Sequence, residues 1–128
     1  MKYKLYFDGN KTPQGVSCSY IVQEEKGKRI IEETKLLDKN TTVPEAEYHG
    51  VIKGLERFID YCKEKNINLN EVELEVYGDS QLVIKQLTGE YECKKPNLRV
   101  LRSKVRYLST LLGNVNFFWV ERKDNLAR

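Results

Sequence analysis

Three carboxylates stand out in this 128-residue chain because of where they fall. Asp8 follows the alternating run Tyr3, Leu5, Phe7, and Asp79 follows the run Val72, Leu74, Val76, so each reads as the C-terminal end of a strand. Glu47 comes just after Thr42-Val43-Pro44-Glu45, a helix-start signature with a hydroxyl, a proline and an acid, and reads as part of the first turn of a long helix. In open α/β sheets ligands collect at the carboxyl ends of the strands, and a helix packed beside those strands aims its glutamate at the same edge. Three acids gathered there repel one another unless a hard cation neutralises them, and an all-oxygen set of this kind suits Mg²⁺ or Mn²⁺. Taken singly, each acid also has an ordinary use, as a turn former or as a partner of the helix dipole.

A second cluster is cationic. The chain carries 22 Lys and Arg against 19 Asp and Glu, a net +3 that is too mild to indicate a nucleic-acid partner by itself. The surplus is concentrated: Lys94, Lys95, Arg99, Arg102, Lys104 and Arg106 fall between Lys94 and Tyr107 with no acid among them. Lys95, Arg99, Arg102 and Arg106 recur at i, i+4, i+7 and i+11, one face of a helix whose opposite face is Leu98, Leu101 and Val105. A row of cations along a helix suits a phosphate backbone.

The elements that must hold these residues follow from periodicity. Tyr3 to Asp8, Val16 to Gln23 and Ile30 to Leu37 read as three strands joined by the turns Thr12-Pro13-Gln14-Gly15 and Lys26-Gly27-Lys28, an antiparallel meander. Val51, Leu55, Phe58 and Cys62 mark a helix of about 20 residues ending near Asn66. Val72 to Val76 is a fourth strand, Ser80 to Leu87 a short helix, Leu98 to Leu112 a third helix ending at Gly113, and Val115 to Val120 a fifth strand. The order β-β-β-α-β-α-α-β predicts an α/β fold, a mixed five-stranded sheet in one domain spanning residues 1–128. Glu71, Glu73 and Glu75 alternate with the apolar residues of the fourth strand, which predicts that one sheet face is poorly covered.

Other classes are disfavoured. No apolar run approaches the roughly 20 residues of a membrane helix, and no signal-like start is present. Cys18, Cys62 and Cys93 are unpaired in spacing, which argues against disulfides and zinc and for a cytoplasmic setting. No Ser, Cys or His is arranged as a nucleophile. His49, two residues past Glu47, reads as structural or solvent-facing, and Trp119, in an apolar strand, reads as core. No protein partner is implied, and a monomer is expected.

Tyr6-Phe7-Asp8-Gly9-Asn10, Thr42 to Tyr48 running into Ile52-Lys53-Gly54-Leu55, and Gly78 to Gln86 resemble the type 1 ribonuclease H family. Gly89-Glu90-Tyr91, Lys95-Pro96-Asn97-Leu98 and Val120-x-Arg122-x-x-Asn125 extend the resemblance in order, from Tyr3 to Asn125. It implies the ribonuclease H-like fold and a divalent-metal-dependent endonuclease that cleaves the RNA strand of RNA–DNA hybrids with two ions per site, Mg²⁺ with Mn²⁺ as the other possibility. Asp8, Glu47 and Asp79 map onto the family's first three acidic positions, as metal ligands and catalytic residues. Gly9 matches a position whose backbone lies close to the RNA, Thr42 a hydroxyl used for a DNA phosphate, and Gln81 a polar position facing the hybrid, with Ser80 and Asn10 as further candidates.

The sequence departs from the family in three places. Val43 and Pro44 stand where two Asn are common, which removes side-chain contacts to RNA 2′-hydroxyls there. No His follows the last strand. The family's fourth ligating Asp lies four residues after the Asn of the last motif, a register that falls at position 129, and Asp124 is the nearest acid. The expectation is a minimal form with the C-terminal helix missing or very short. The alternative to an active enzyme is a catalytically weak or inactive module that binds hybrid or double-stranded nucleic acid.

Overall fold

In a computed structural model describing residues 1–128, the predicted order is present throughout. The strands are β1 (Lys2–Thr12), β2 (Gly15–Glu24), β3 (Arg29–Leu37), β4 (Glu73–Gly78) and β5 (Asn114–Trp119). The helices are α1 (Val43–Glu64), α2 (Gln81–Thr88) and α3 (Pro96–Thr110), and short 3₁₀ turns occupy Leu69–Glu71 and Arg122–Asp124. One mixed sheet has the order β3-β2-β1-β4-β5. β1, β2 and β3 pair antiparallel, while β1–β4 and β4–β5 are parallel and reached through helical crossovers.

Local chemistry explains the ends of α1. Thr42 Oγ1 accepts from Glu45 N at 3.3 Å and Thr42 N donates to Glu45 Oε1 at 2.8 Å, a reciprocal capping box with Pro44 in the first turn. Tyr3, Leu5 and Phe7 of β1 alternate toward the helices and join Val51, Leu55 and Phe58 of α1, Leu74 and Val76 of β4, and Val105 and Leu108 of α3 in a cluster of 24 buried residues. The other face carries Lys4, Tyr6, Glu75, Tyr77 and Phe118 and stays exposed or half-exposed, as the glutamate alternation anticipates. Tyr6, Tyr77 and Phe118 form a ladder across three strands there, with ring centroids 5.0 and 5.4 Å apart.

Four expectations need correction. β1 does not end at Asp8; its antiparallel ladder with β2 continues to Thr12↔Gly15, and only its parallel ladder with β4 stops earlier, at Tyr6↔Tyr77. Glu47 is the fifth residue of α1, two residues beyond the capping Glu45 and so just past the first turn. Glu71 belongs to the 3₁₀ turn before β4. Trp119 is 43% exposed rather than core, because it ends the edge strand β5 and its indole N–H turns toward the backbone of Asp79.

Close approach of β1 and β4 depends on Gly78, where a Cβ would enter the Phe7 ring. Gly78→Ala is therefore expected to cost about 1–3 kcal/mol, read as a lower urea midpoint with an unchanged m-value. A midpoint equal to that of the parent protein would show that Phe7 yields without cost.

Candidate active site

Asp8 lies on β1 two residues beyond its last parallel rung, Asp79 follows β4 directly, and Glu47 projects from the second turn of α1. One carboxylate oxygen from each falls within 4.8 Å of the others. Contact at this distance needs Gly9: a Cβ there would lie 2.5 Å from Glu47 N and 2.8 Å from Ala46 C, so only glycine lets β1 close against the start of α1. Ser80 caps α2, its Oγ accepting from Val83 N at 3.2 Å, and its hydroxyl lies on the side of Glu47, pulling that carboxyl slightly down.

Burial dominates the electrostatics. Asp8 is 6% and Glu47 9% exposed. Burial, reinforced by Asp79, pushes the Asp8 carboxyl up to about 6 against the pull of Arg122 and the Gly9 N–H. Burial, with Asp79 and Asp8 beside it, pushes Glu47 up to about 7. Glu45, two residues earlier, behaves oppositely: its bonds to the Thr42 backbone and to Asn97 hold it below the usual range. The two glutamates of the helix start thus separate into a cap and a cluster member. Three converging hard oxygen donors with no Lys among them fit a divalent cation, and Asp8, Glu47 and Asp79 are the residues that would hold it.

The C-terminal segment supplies groups that the sequence reading left without a role. Asn125 is 2% exposed, and its Nδ2 donates to Phe7 O at 2.9 Å and to Asp79 Oδ2 at 3.3 Å. Arg122 Nη1 lies 3.8 Å from the same oxygen, and Trp119 Nε1 donates to Asp79 O at 3.1 Å. The Val120-x-Arg122-x-x-Asn125 motif was the available signal. Asp124, by contrast, is exposed and outside the acidic cluster. His49 is half-buried and also outside it, as expected.

The remaining candidates flank the acids. Asn10 and Gln81 are exposed, Gln81 as the first residue of α2, and Thr42 is exposed at the cap of α1. Asn97 Nδ2 donates to Glu45 Oε2 at 3.1 Å, which sets the start of α3 beside the start of α1. The basic residues do not form one uniform stripe. Arg99 and Arg102 join Lys94, Glu92 and Cys93 around an open pocket of about 390 Å³, and Arg102 Nε is buried there without a partner. Lys95 caps α3 through its backbone, Arg106 is exposed farther along, and Lys104 pairs with Glu56 of α1 at 3.8 Å.

Folded Asp8 and Glu47 hold protons that the unfolded chain has already released between about pH 4 and pH 7, so their contribution to stability falls as pH rises through that window. Without metal, Glu47→Gln is expected to melt higher than the parent at pH 8 by about 1–2 kcal/mol and to match it near pH 4.5. Parallel melting curves for the two proteins across that range would contradict the assignment.

A family model described as reverse transcriptase-like matches residues 6–127. The bifunctional protein Rv2228c of Mycobacterium tuberculosis is 29% identical over 117 residues, covering 91% of this chain and 29% of that protein. The ribonuclease HI of Halobacterium salinarum is 31% identical over 122 residues, covering 94% of this chain and 57% of that protein. This chain therefore spans well under two thirds of those relatives. Among solved structures, the RNase H1 of Halobacterium salinarum NRC-1 superposes with a TM-score of 0.85 at 28% identity, covering 98% of this chain and 89% of that one. LC11-RNase H1, solved in complex with an RNA/DNA hybrid, gives a TM-score of 0.86 at 25% identity over 97% and 88% of the two chains.

Proposed function

The chain belongs to the reverse transcriptase-like family and is a type 1 ribonuclease H-like protein, and from that premise we propose that it hydrolyses the RNA strand of RNA–DNA hybrids. The observation that carries this reading is the convergence of Asp8, Glu47 and Asp79 within 4.8 Å at the sheet edge, in a chain similar to a ribonuclease solved with such a hybrid. We propose further that the 128 residues act as one domain and as a monomer, and in the cytoplasm, where three buried free thiols persist unoxidised.

In this mechanism Asp8, Glu47 and Asp79 would hold two divalent ions, Mg²⁺ or Mn²⁺, which would supply a water of lowered pKa and charge neutralisation at the departing 3′ oxygen. The protein's own residues do the placing. Gly9 brings the β1 backbone against the RNA strand, while Asn10 and Gln81 offer uncharged polar groups to sugars and base edges beside the cut. Ser80 faces Glu47 and holds the start of α2, and Thr42 presents a hydroxyl at the start of α1 for a phosphate of the other strand. Lys95 at the start of α3 and Arg99, Arg102 and Arg106 along it would meet the phosphates of the uncut strand.

The central test is cleavage of a strand-labelled hybrid with Mg²⁺, Mn²⁺ or EDTA, beside single-stranded and double-stranded RNA. Metal-dependent cutting of the hybrid's RNA strand alone, reduced at least about a hundredfold by Asp8→Asn, is expected. Salt-sensitive binding without cutting would overturn the hydrolase reading in favour of a binding module. For the cationic surface, a double Arg99→Gln, Arg102→Gln protein is expected to bind hybrid more weakly and to lower the slope of log K against log salt by about one to two. An unchanged slope would remove α3 from the interface.

A further inference from the structure

Asn125 lies beyond the last strand, yet its side chain is fully used. Its Nδ2 donates to Phe7 O at 2.9 Å and Asp79 Oδ2 at 3.3 Å, and its Oδ1 accepts from Ala127 N at 3.1 Å. The two acceptors of that single nitrogen belong to two neighbouring segments, one within β1 and one just past β4. Phe7 O is the peptide carbonyl leading into Asp8, and Asp79 is the first residue after β4.

The position of this bridge matters because of where the parallel ladder stops. The last rung between β1 and β4 is Tyr6↔Tyr77, and both acids lie two residues past it. Beyond that rung no strand-to-strand bond sets the separation of Asp8 and Asp79, while their mutual repulsion favours divergence. Asn125 spans the gap. It also treats the two oxygens of Asp79 unequally: Oδ2 receives the amide and lies near Arg122, whereas no protein donor bonds Oδ1. Trp119 independently holds the Asp79 main-chain carbonyl, so the backbone is anchored apart from the carboxylate.

We infer that Asn125 is a positioning residue for the acidic centre: its amide fixes the spacing of Asp8 and Asp79 and commits Asp79 Oδ2 to the protein, leaving Oδ1 as the metal-facing oxygen. The inference rests on the reading that Asp8, Glu47 and Asp79 hold a divalent cation. Asparagine is the residue type this role requires. Leucine has nearly the same shape and no donor, and aspartate would replace the donor with a fourth negative charge. Groups that orient metal-binding carboxylates typically change metal affinity or activity 10- to 100-fold when removed.

The test is Mn²⁺ affinity by electron paramagnetic resonance on substrate-free protein, at a temperature where circular dichroism shows each variant folded. Asn125→Leu is expected to weaken Mn²⁺ binding about 10- to 100-fold and, where hybrid is cleaved, to lower kcat by a similar factor with KM within about threefold. Leu126→Ala disturbs the same segment without touching the amide, and is expected to lower Tm while leaving Mn²⁺ affinity unchanged. If Asn125→Leu does not fold, Asn125→Ser, too short to reach both acceptors, takes its place with the same expectation. Parent-like Mn²⁺ affinity in the folded Asn125 variant, or no Mn²⁺ binding by the parent protein, would overturn the proposal. Parent Mn²⁺ binding without cleavage would instead sink the hydrolase reading and leave this one standing.

Discussion

The repulsion among Asp8, Glu47 and Asp79 is the constraint that organises this protein. Their oxygens lie within 4.8 Å of one another, and two of the three residues are less than a tenth exposed. Water does little to screen charges at that depth, so the folded state without a cation holds protons on Asp8 and Glu47 that ordinary carboxyls would lose. A fold tolerates such an arrangement only when the surrounding framework is stiff enough to oppose the divergence of its own side chains.

That stiffness comes from three kinds of contact. The parallel pairing of β1 with β4 brings two strand ends to one edge, and Gly78 lets the strands settle against the Phe7 ring. Gly9 removes the side chain that would hold α1 away, while the capping box at Thr42 and Glu45 fixes where that helix begins and so where Glu47 emerges. The C-terminal segment then closes the edge from the far side, with Trp119 on the Asp79 backbone and Asn125 between the two strands. None of these contacts is strong alone. Together they define one geometry for the acids.

Charge is distributed to match. The acids occupy the sheet edge, and the cations of α3 begin beside it because Asn97 ties the start of α3 to Glu45 at the start of α1. Lys104 is withdrawn into an ion pair with Glu56, whereas Arg99 and Arg102 open onto a pocket with Lys94.

Much of this was legible in the sequence because it rests on local rules. Alternation marked the strands, the 3.6-residue period marked α1 and α3, and Thr42, Pro44 and Glu45 marked a helix start whose capping box the fold contains. The alternating glutamates of β4 told correctly of an open sheet face, and the wording around Asp8, Glu47 and Asp79 told of the family. Tertiary structure alone decided the rest. Trp119 reads as core by composition but ends an edge strand, Glu47 lies just past the first turn of its helix, and Asp8 sits within a strand whose two ladders end at different rungs. Asn125 meets Phe7 across 118 positions and Asp79 across 46, separations over which no local pattern carries information. Periodicity and capping depend on neighbours a few residues away, so a sequence displays them; the spacing of charges from different strands depends on where the chain returns, and only the packed fold determines that.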